Sequence, residues 1–373
     1  MMIRSEDSRL FTTSRDCTKS KIKGKTMSLQ ALLNVELPII QAPMAGVQDS
    51  ELAIAVCNAG GLGSLPCAML SPDAMRKELT SIRAGTTRPS NVNFFCHSPP
   101  EPNAARDEAW KVALLQYFEE FGLDQTAITS GPSRQPFSAE AADVLAEFRP
   151  EVVSFHFGLP TEDLLTRVRG WGSKILSSAT TVAEARWLEA RGVDAVISQG
   201  FEAGGHRGMF LSEDLNTQIG TFALLPQIVR AVNVPVIGAG GIADARGVAA
   251  ALALGAIGVQ VGTAYMLCPE ARTSAVHRSA LKSKEADLTA LTNLFSGRPA
   301  RGIVNRIMRE LGSISAAAPA FPLATAAIAP LRKAAEERGI DGFSPLWAGQ
   351  NVSGCREISA AALTRLLAGL PTA

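Results

Sequence analysis

Three of the four histidines in this 373-residue chain, His97, His156 and His206, stand at or just after short apolar runs. His156 lies in Ser154-Phe155-His156-Phe157-Gly158. An imidazole flanked by aromatic rings suits a base, or a donor to an anion, in an apolar pocket. It equally suits a core histidine with its ring nitrogens satisfied. The segment Gly200–Gly208, GFEAGGHRG, sets Glu202 and His206 among four glycines. That composition reads either as backbone closing on a ligand or as a solvated loop. Further on come Gly238-Ala239-Gly240-Gly241 and Gly262-Thr263, both leading toward helix starts. Glycine there lets a phosphate reach backbone N–H groups at the positive end of a helix dipole. Bare tight turns would use the same residues. His97 opens a Pro-rich loop, and His277 sits in a helical stretch where a surface position is expected.

Those residues need a frame. From residue 38 onward, short apolar runs alternate with helical patterns. The runs are Pro38–Ala42, Gly61–Ser64, Asn91–Phe95, Val152–Phe155, Lys174–Ser178, Asp194–Ser198, Val234–Gly238 and Gly258–Val261. Most lack strict alternation and several are rich in Val and Ile, as strands buried on both faces should be. Val182, Ala185 and Leu188 recur at helical spacing before Gly192, and Asp244 is placed to cap a helix over 245–254. Eight β-then-α units predict an α/β fold, a closed (β/α)8 or TIM barrel, with an open doubly wound sheet as the competing architecture. In such a barrel the candidate residues gather at the carboxyl ends of the strands, where active sites form. The connection between the third and fourth strands, 96–150, shows helical pattern around 107–120 and 139–148. The expected division is a barrel over 27–268, a mainly helical subdomain over the barrel mouth at 269–350, and a C-terminal helix in 351–373 packed on the barrel.

Composition excludes several classes. Hydrophobic residues make up 46% and charged residues 19%, which rules out a disordered chain. Net charge is +1, from 36 basic against 35 acidic residues, so neither a nucleic-acid footprint nor a polybasic membrane patch is present. No apolar run is long enough to span a membrane. The six cysteines form no CxxC pair and no zinc-ligand spacing, which points to reduced thiols in a cytoplasmic protein and to no metal. Residues 1–26 carry seven Lys/Arg and three Asp/Glu without an apolar h-region, so no secretory signal is read there. They are expected to be a disordered tail or to precede a natural start at Met27.

The ordered series PIIQAPMAG (38–46), NVNFF (91–95), SFHFG (154–158), QGFEAGGHRG (199–208), GAGGIAD (238–244) and GVQVGTAYM (258–266) resembles the nitronate monooxygenases. FSGRPARGIVNR (295–306) and PLWAGQ (345–350) extend the likeness, and SFHFG points to the class I members. The resemblance implies an FMN-dependent barrel that oxidises alkyl nitronates with O2 to a carbonyl compound and nitrite, by single-electron transfer to the flavin. Propionate 3-nitronate is the substrate the family suggests. His156 is implied as the catalytic residue. The implied FMN contacts are Met44, Asn93, Gln199, Gly204, Gly205, Gly240, Gly241, Gln260, Val261, Gly262 and Thr263. Partners are a small nitronate and O2, not nucleic acid or membrane, and a homodimer stays open. Class I members are described with active-site tyrosines. This chain has only Tyr117 and Tyr265, and Phe321 is placed where a hydroxyl occurs elsewhere. The alternative function is an FMN-dependent NAD(P)H:quinone or enoyl-acyl-carrier-protein reductase on the same barrel.

Overall fold

Eight parallel strands form at the predicted runs because nearly every residue in them is buried on both faces. They are β1 (Ile39–Gln41), β2 (Gly63–Pro66), β3 (Ser90–Phe95) and β4 (Val152–His156), then β5 (Lys174–Ala179), β6 (Ala195–Gln199), β7 (Val236–Ala239) and β8 (Gly258–Val261). The computed structural model describes residues 27–128 and 134–371, so the expectation for residues 1–26 lies outside the described residues. Around the sheet the order is β1-β8-β7-β6-β5-β4-β3-β2. Hydrogen bonds from Gln41 N to Leu62 O and from Leu62 N to Ile39 O, each 2.9 Å, join the two ends. The sheet is therefore a barrel.

Side-chain alternation along each strand fills two cores. Ile40, Val152, Leu176, Ala195, Ile197 and Ile237 fall in one cluster with Leu29 and Leu33 of the helix Leu29–Leu33. Their neighbours Ile39, Val153, Ile175 and Val196 fall in the other, against the outer helices. The helices start where a side chain can satisfy a free N–H. Ser71, Thr181 and Asp244 accept from Ala74 N, Glu184 N and Gly247 N. The C-terminal helix Ala360–Leu367 packs on the helix Ser50–Asn58.

A satellite core stands apart from the barrel. Trp110, Leu114, Tyr117 and Phe118 of the helix Ala104–Phe121, in the β3–β4 connection, pack with Ile307, Leu331 and Phe343. Residues 269–350 are less helical than expected. They contain the strands Thr289–Thr292 and Ala300–Ile303, which pair antiparallel, and Gly205–His206 adds to the second. These strands are short and carry no run of β-branched residues. Pairing with one another, not periodicity, makes them extended. No helix of the described residues is long and apolar enough to cross a membrane.

Candidate active site at the barrel mouth

One cavity of roughly 1280 Å3, counted out to its open mouth, lies at the carboxyl ends of the strands. It is lined by every residue singled out above as catalytic or cofactor-binding, from Met44 and Asn93 through His156 to Gly262 and Thr263.

His156 ends β4, and both its ring nitrogens are engaged. Nε2 lies 3.1 Å from the His206 carbonyl and Nδ1 lies 2.5 Å from Ser178 Oγ. A carbonyl only accepts, so Nε2 carries the proton and Nδ1 accepts from the serine hydroxyl. Burial pushes the His156 pKa down to about 4. At neutral pH the ring is an uncharged donor–acceptor, not a cation. Gly208 runs so close to this pair that a Cβ there would meet His156 Cε1 at 2.7 Å and Ser178 Oγ at 2.8 Å. The bare backbone at 208 is what allows the His156–Ser178 contact.

The loop after β6 is pinned by several side-chain hydrogen bonds. Glu202 accepts from Thr221 N (2.8 Å) and Thr221 Oγ1 (2.8 Å) at the start of the helix Thr221–Ala231. Arg207 is fully buried and donates to the carbonyls of Gly200 (2.7 Å) and Gln199 (2.8 Å). Gln199 donates to the His206 carbonyl (3.0 Å) and accepts from Gly208 N (2.7 Å). His206 Nε2 meets Ser296 Oγ at 2.9 Å, and its ring packs against Phe321 and Trp347. Desolvation holds its pKa well below the usual histidine value. The solvated-loop reading therefore fails: Glu202 is a helix cap and His206 is a packed ring.

The opposite wall is made of backbone. Gly240 and Gly241 take φ of +110° and +72°, conformations that side chains disfavour. Beside them, at β8, the amide oxygen of Gln260 is buried and has no hydrogen-bond partner. An orphaned acceptor facing a cavity is costly unless a ligand donates to it. A flavin matches this wall: its phosphate suits the glycine turns, and a ring N–H suits Gln260 Oε1. Trp347–Asn351 closes over the same wall, with Gly349 N donating to Thr263 Oγ1 (3.0 Å) and Asn351 Nδ2 to the Gly241 carbonyl (3.0 Å).

Residues 26–368 match the nitronate monooxygenase family. The chain belongs to that family. It is similar to "Nitronate monooxygenase" of Pseudomonas aeruginosa, 43% identical over 90% of this chain and 96% of that protein. A protein of the same name from Paraburkholderia phytofirmans is 42% identical over 91% and 93% of the two chains. Among solved structures, nitroalkane oxidase from Streptomyces ansochromogenes superposes with a TM-score of 0.82 at 40% identity, covering 91% of this chain and 96% of that one. FabK from Thermotoga maritima shares the barrel at a TM-score of 0.64 and 26% identity, covering 91% and 93%.

Both tyrosines lie away from the cavity. Tyr117 is buried in the satellite core, and Tyr265 is buried with its hydroxyl 2.9 Å from Thr364 Oγ1, so neither lines the cavity. Phe321 stands beside His206 with only carbon to offer. One expectation about the histidines needs correction. His277 is not on the surface: it is 4% exposed and its Nε2 lies 3.1 Å from the Trp347 carbonyl, behind the cavity wall. His97 is buried edge-on to Phe321, and does not line the cavity. The sequence reading missed Ser178, Trp347 and, above all, Arg134. Trp347 lies in a recognised motif, but Arg134 sits in an irregular stretch with no periodic signal.

Proposed function

We propose that the chain is an FMN-dependent oxidoreductase that converts alkyl nitronates and O2 to a carbonyl compound and nitrite. Family membership supports the class of reaction. The observation that carries the reading is the convergence on one cavity of a neutral His156, the glycine turns after β7 and β8, and the unpartnered Gln260 oxygen. Gly240, Gly241, Gly262 and Thr263 would hold the phosphate, with Gln260 donated to by the ring. Met44, Asn93, Gln199, Gly204, Gly205 and Val261 complete the walls. FMN, when bound, would supply the electron acceptance from the nitronate and the delivery to O2.

The chain's own residues position and protect the substrate. Phe95 lines the cavity, and Phe157, Phe321 and His206 pack around it, making that part of the wall aromatic. A nitronate already lacks its α-proton and needs no base. A neutral nitroalkane does, and Nδ1 of His156 is the atom that would take that proton once the Ser178 hydroxyl turns away. The net change takes two nitronates and one O2 to two carbonyl compounds and two nitrite ions: each C=N bond breaks, and each new C=O bond takes one of the two oxygen atoms of O2. Charge is conserved without proton uptake. The five described cysteines are all unpaired, in keeping with a reducing cytoplasm.

The deciding experiment is anaerobic titration of the purified yellow protein, followed by its absorbance. Bleaching by a nitronate, and release of FMN on denaturation, support the proposal. Bleaching by NADH or NADPH but not by nitronates would make it a reductase instead.

A further inference from the structure

Arg298 does not line the cavity, yet its guanidinium touches both segments that hold His156. It lies 4.2 Å from the centre of the Phe157 ring, over its face, and Phe157 is the residue after His156. Its Nη2 donates to the Met209 carbonyl. Met209 belongs to the segment whose His206 carbonyl faces His156 Nε2 and whose Gly208 packs against the imidazole. The loop that carries Arg298 is tied to that same segment. Arg207 N donates to the Pro299 carbonyl at 2.9 Å, and Ser296 Oγ lies 2.9 Å from His206 Nε2. No described carboxylate forms an ion pair with Arg298.

Phe157 is where a grip is needed. Three described residues other than glycine take positive φ. Asn34 and Arg149 do so as helix C-caps, where that conformation is ordinary. Phe157, at φ +69°, ends no helix. A bulky side chain disfavours this conformation and keeps it only where the surroundings impose it. The flanking backbone is fixed: Cys96 N donates to the His156 carbonyl and Ser177 Oγ to the Gly158 carbonyl, 2.8 Å each. The Phe157 ring packs 4.9 Å from Phe95 and 5.5 Å from Phe321. Those contacts are apolar and non-directional. The guanidinium over the ring face adds a directional one, and a desolvated cation–π contact is strong. The His156 and Phe157 rings are 4.5 Å apart, so a displaced Phe157 displaces the imidazole.

Resting on the function proposed above, we infer that Arg298 is a positioning residue for His156. By gripping the Phe157 ring and the Met209 carbonyl together, it keeps the imidazole seated between Ser178 Oγ and the His206 carbonyl. It acts only through those neighbours and moves no proton itself.

The test reads the ring directly, by NMR of flavin-loaded protein carrying isotope-labelled histidine. Wild type should show His156 as one tautomer, protonated on Nε2, the signal being assigned by its loss in His156→Asn. Arg298→Met keeps the aliphatic stem and removes the guanidinium. It should broaden or average the His156 nitrogen signals. It should also lower kcat on neutral nitroalkanes by about tenfold while KM changes less than about twofold, the scale for losing an outer partner of a functional histidine. Arg298→Lys keeps a cation over the ring and should restore part of both. Phe157→Leu should act like Arg298→Met, and the double variant should be no worse than the worse single one, because both changes break one linkage. His277, held by the Trp347 carbonyl, is the internal control and should keep its signal. An unchanged His156 spectrum in Arg298→Met would overturn the inference. So would additive losses in the double variant, or an equal change at His277, which would mean general loosening. The spectrum needs no turnover, so a wild type with the expected His156 signal that oxidises neither nitroalkanes nor nitronates would sink the proposed function alone.

Discussion

Ser178 Oγ lies 2.5 Å from His156 Nδ1, and the His206 carbonyl lies 3.1 Å from Nε2, so the imidazole is clamped between a donor and an acceptor. The clamp sets both the tautomer and the plane of the ring. Without the hydroxyl, Nδ1 is left buried and unpaired and the ring can turn. Ser178→Ala should lower kcat by about tenfold with little change in KM, comparable to losing an outer partner of a functional histidine. Steady-state kinetics at equal flavin content measures it. A wild-type kcat would show that the backbone carbonyl alone orients the ring.

His156→Asn separates holding from proton transfer. An amide still donates a hydrogen bond but accepts no proton at neutral pH. Oxidation of neutral nitroalkanes should fall by about 10²–10⁴-fold, the usual worth of a positioned base. Preformed nitronates should lose less, and flavin content should not change, because the phosphate turns are across the barrel. Matched nitroalkane and nitronate turnover distinguishes these outcomes. Equal wild-type rates on both would leave His156 as a core histidine.

Gln260 offers a cleaner probe of the cofactor wall than the glycines. Gly241 has φ +72°, so any side chain there strains the backbone whether or not FMN binds. Gln260 Oε1 has no partner in the protein. Gln260→Met should therefore leave the melting temperature of flavin-free protein unchanged, and weaken FMN by about tenfold for one lost hydrogen bond. Unchanged FMN affinity would mean that the ring does not donate to Gln260.

All four histidines are held neutral by burial, His97, His156 and His277 down to about 4 and His206 well below its usual value. The unfolded chain binds their protons near pH 6.5 and the folded chain does not. Stability is therefore full above about pH 6.5 and falls as pH drops toward 4, by up to about 1.4 kcal/mol per histidine per pH unit. Urea midpoints at about pH 7 and about pH 5 measure the loss. Equal midpoints would contradict the neutral state of these rings.

The barrel was legible because strands buried on both faces leave continuous apolar runs, and Val152–Phe155 or Gly258–Val261 could hardly sit elsewhere. The glycine turns were legible because positive φ needs a special residue, and Asp244 because an N-cap needs a short acceptor. Thr289–Thr292 and Ala300–Ile303 were not, since their extended form comes from partners far along the chain. The environment of His277 was equally hidden: a helical residue shows its period, but what covers its face is decided by the Trp347 segment.

From the sequence alone came the β/α rhythm, the ring position of each candidate and the family likeness, all of which depend on residue order and local chemistry. Tertiary structure alone decided which groups are charged and which are spoken for. Only folding brings Ser178 to His156, buries His206 among rings from three distant segments, and seats Arg134 at the cavity with no described carboxylate paired to it. Charge state and hydrogen-bond satisfaction depend on surroundings in space, and residue order does not state them.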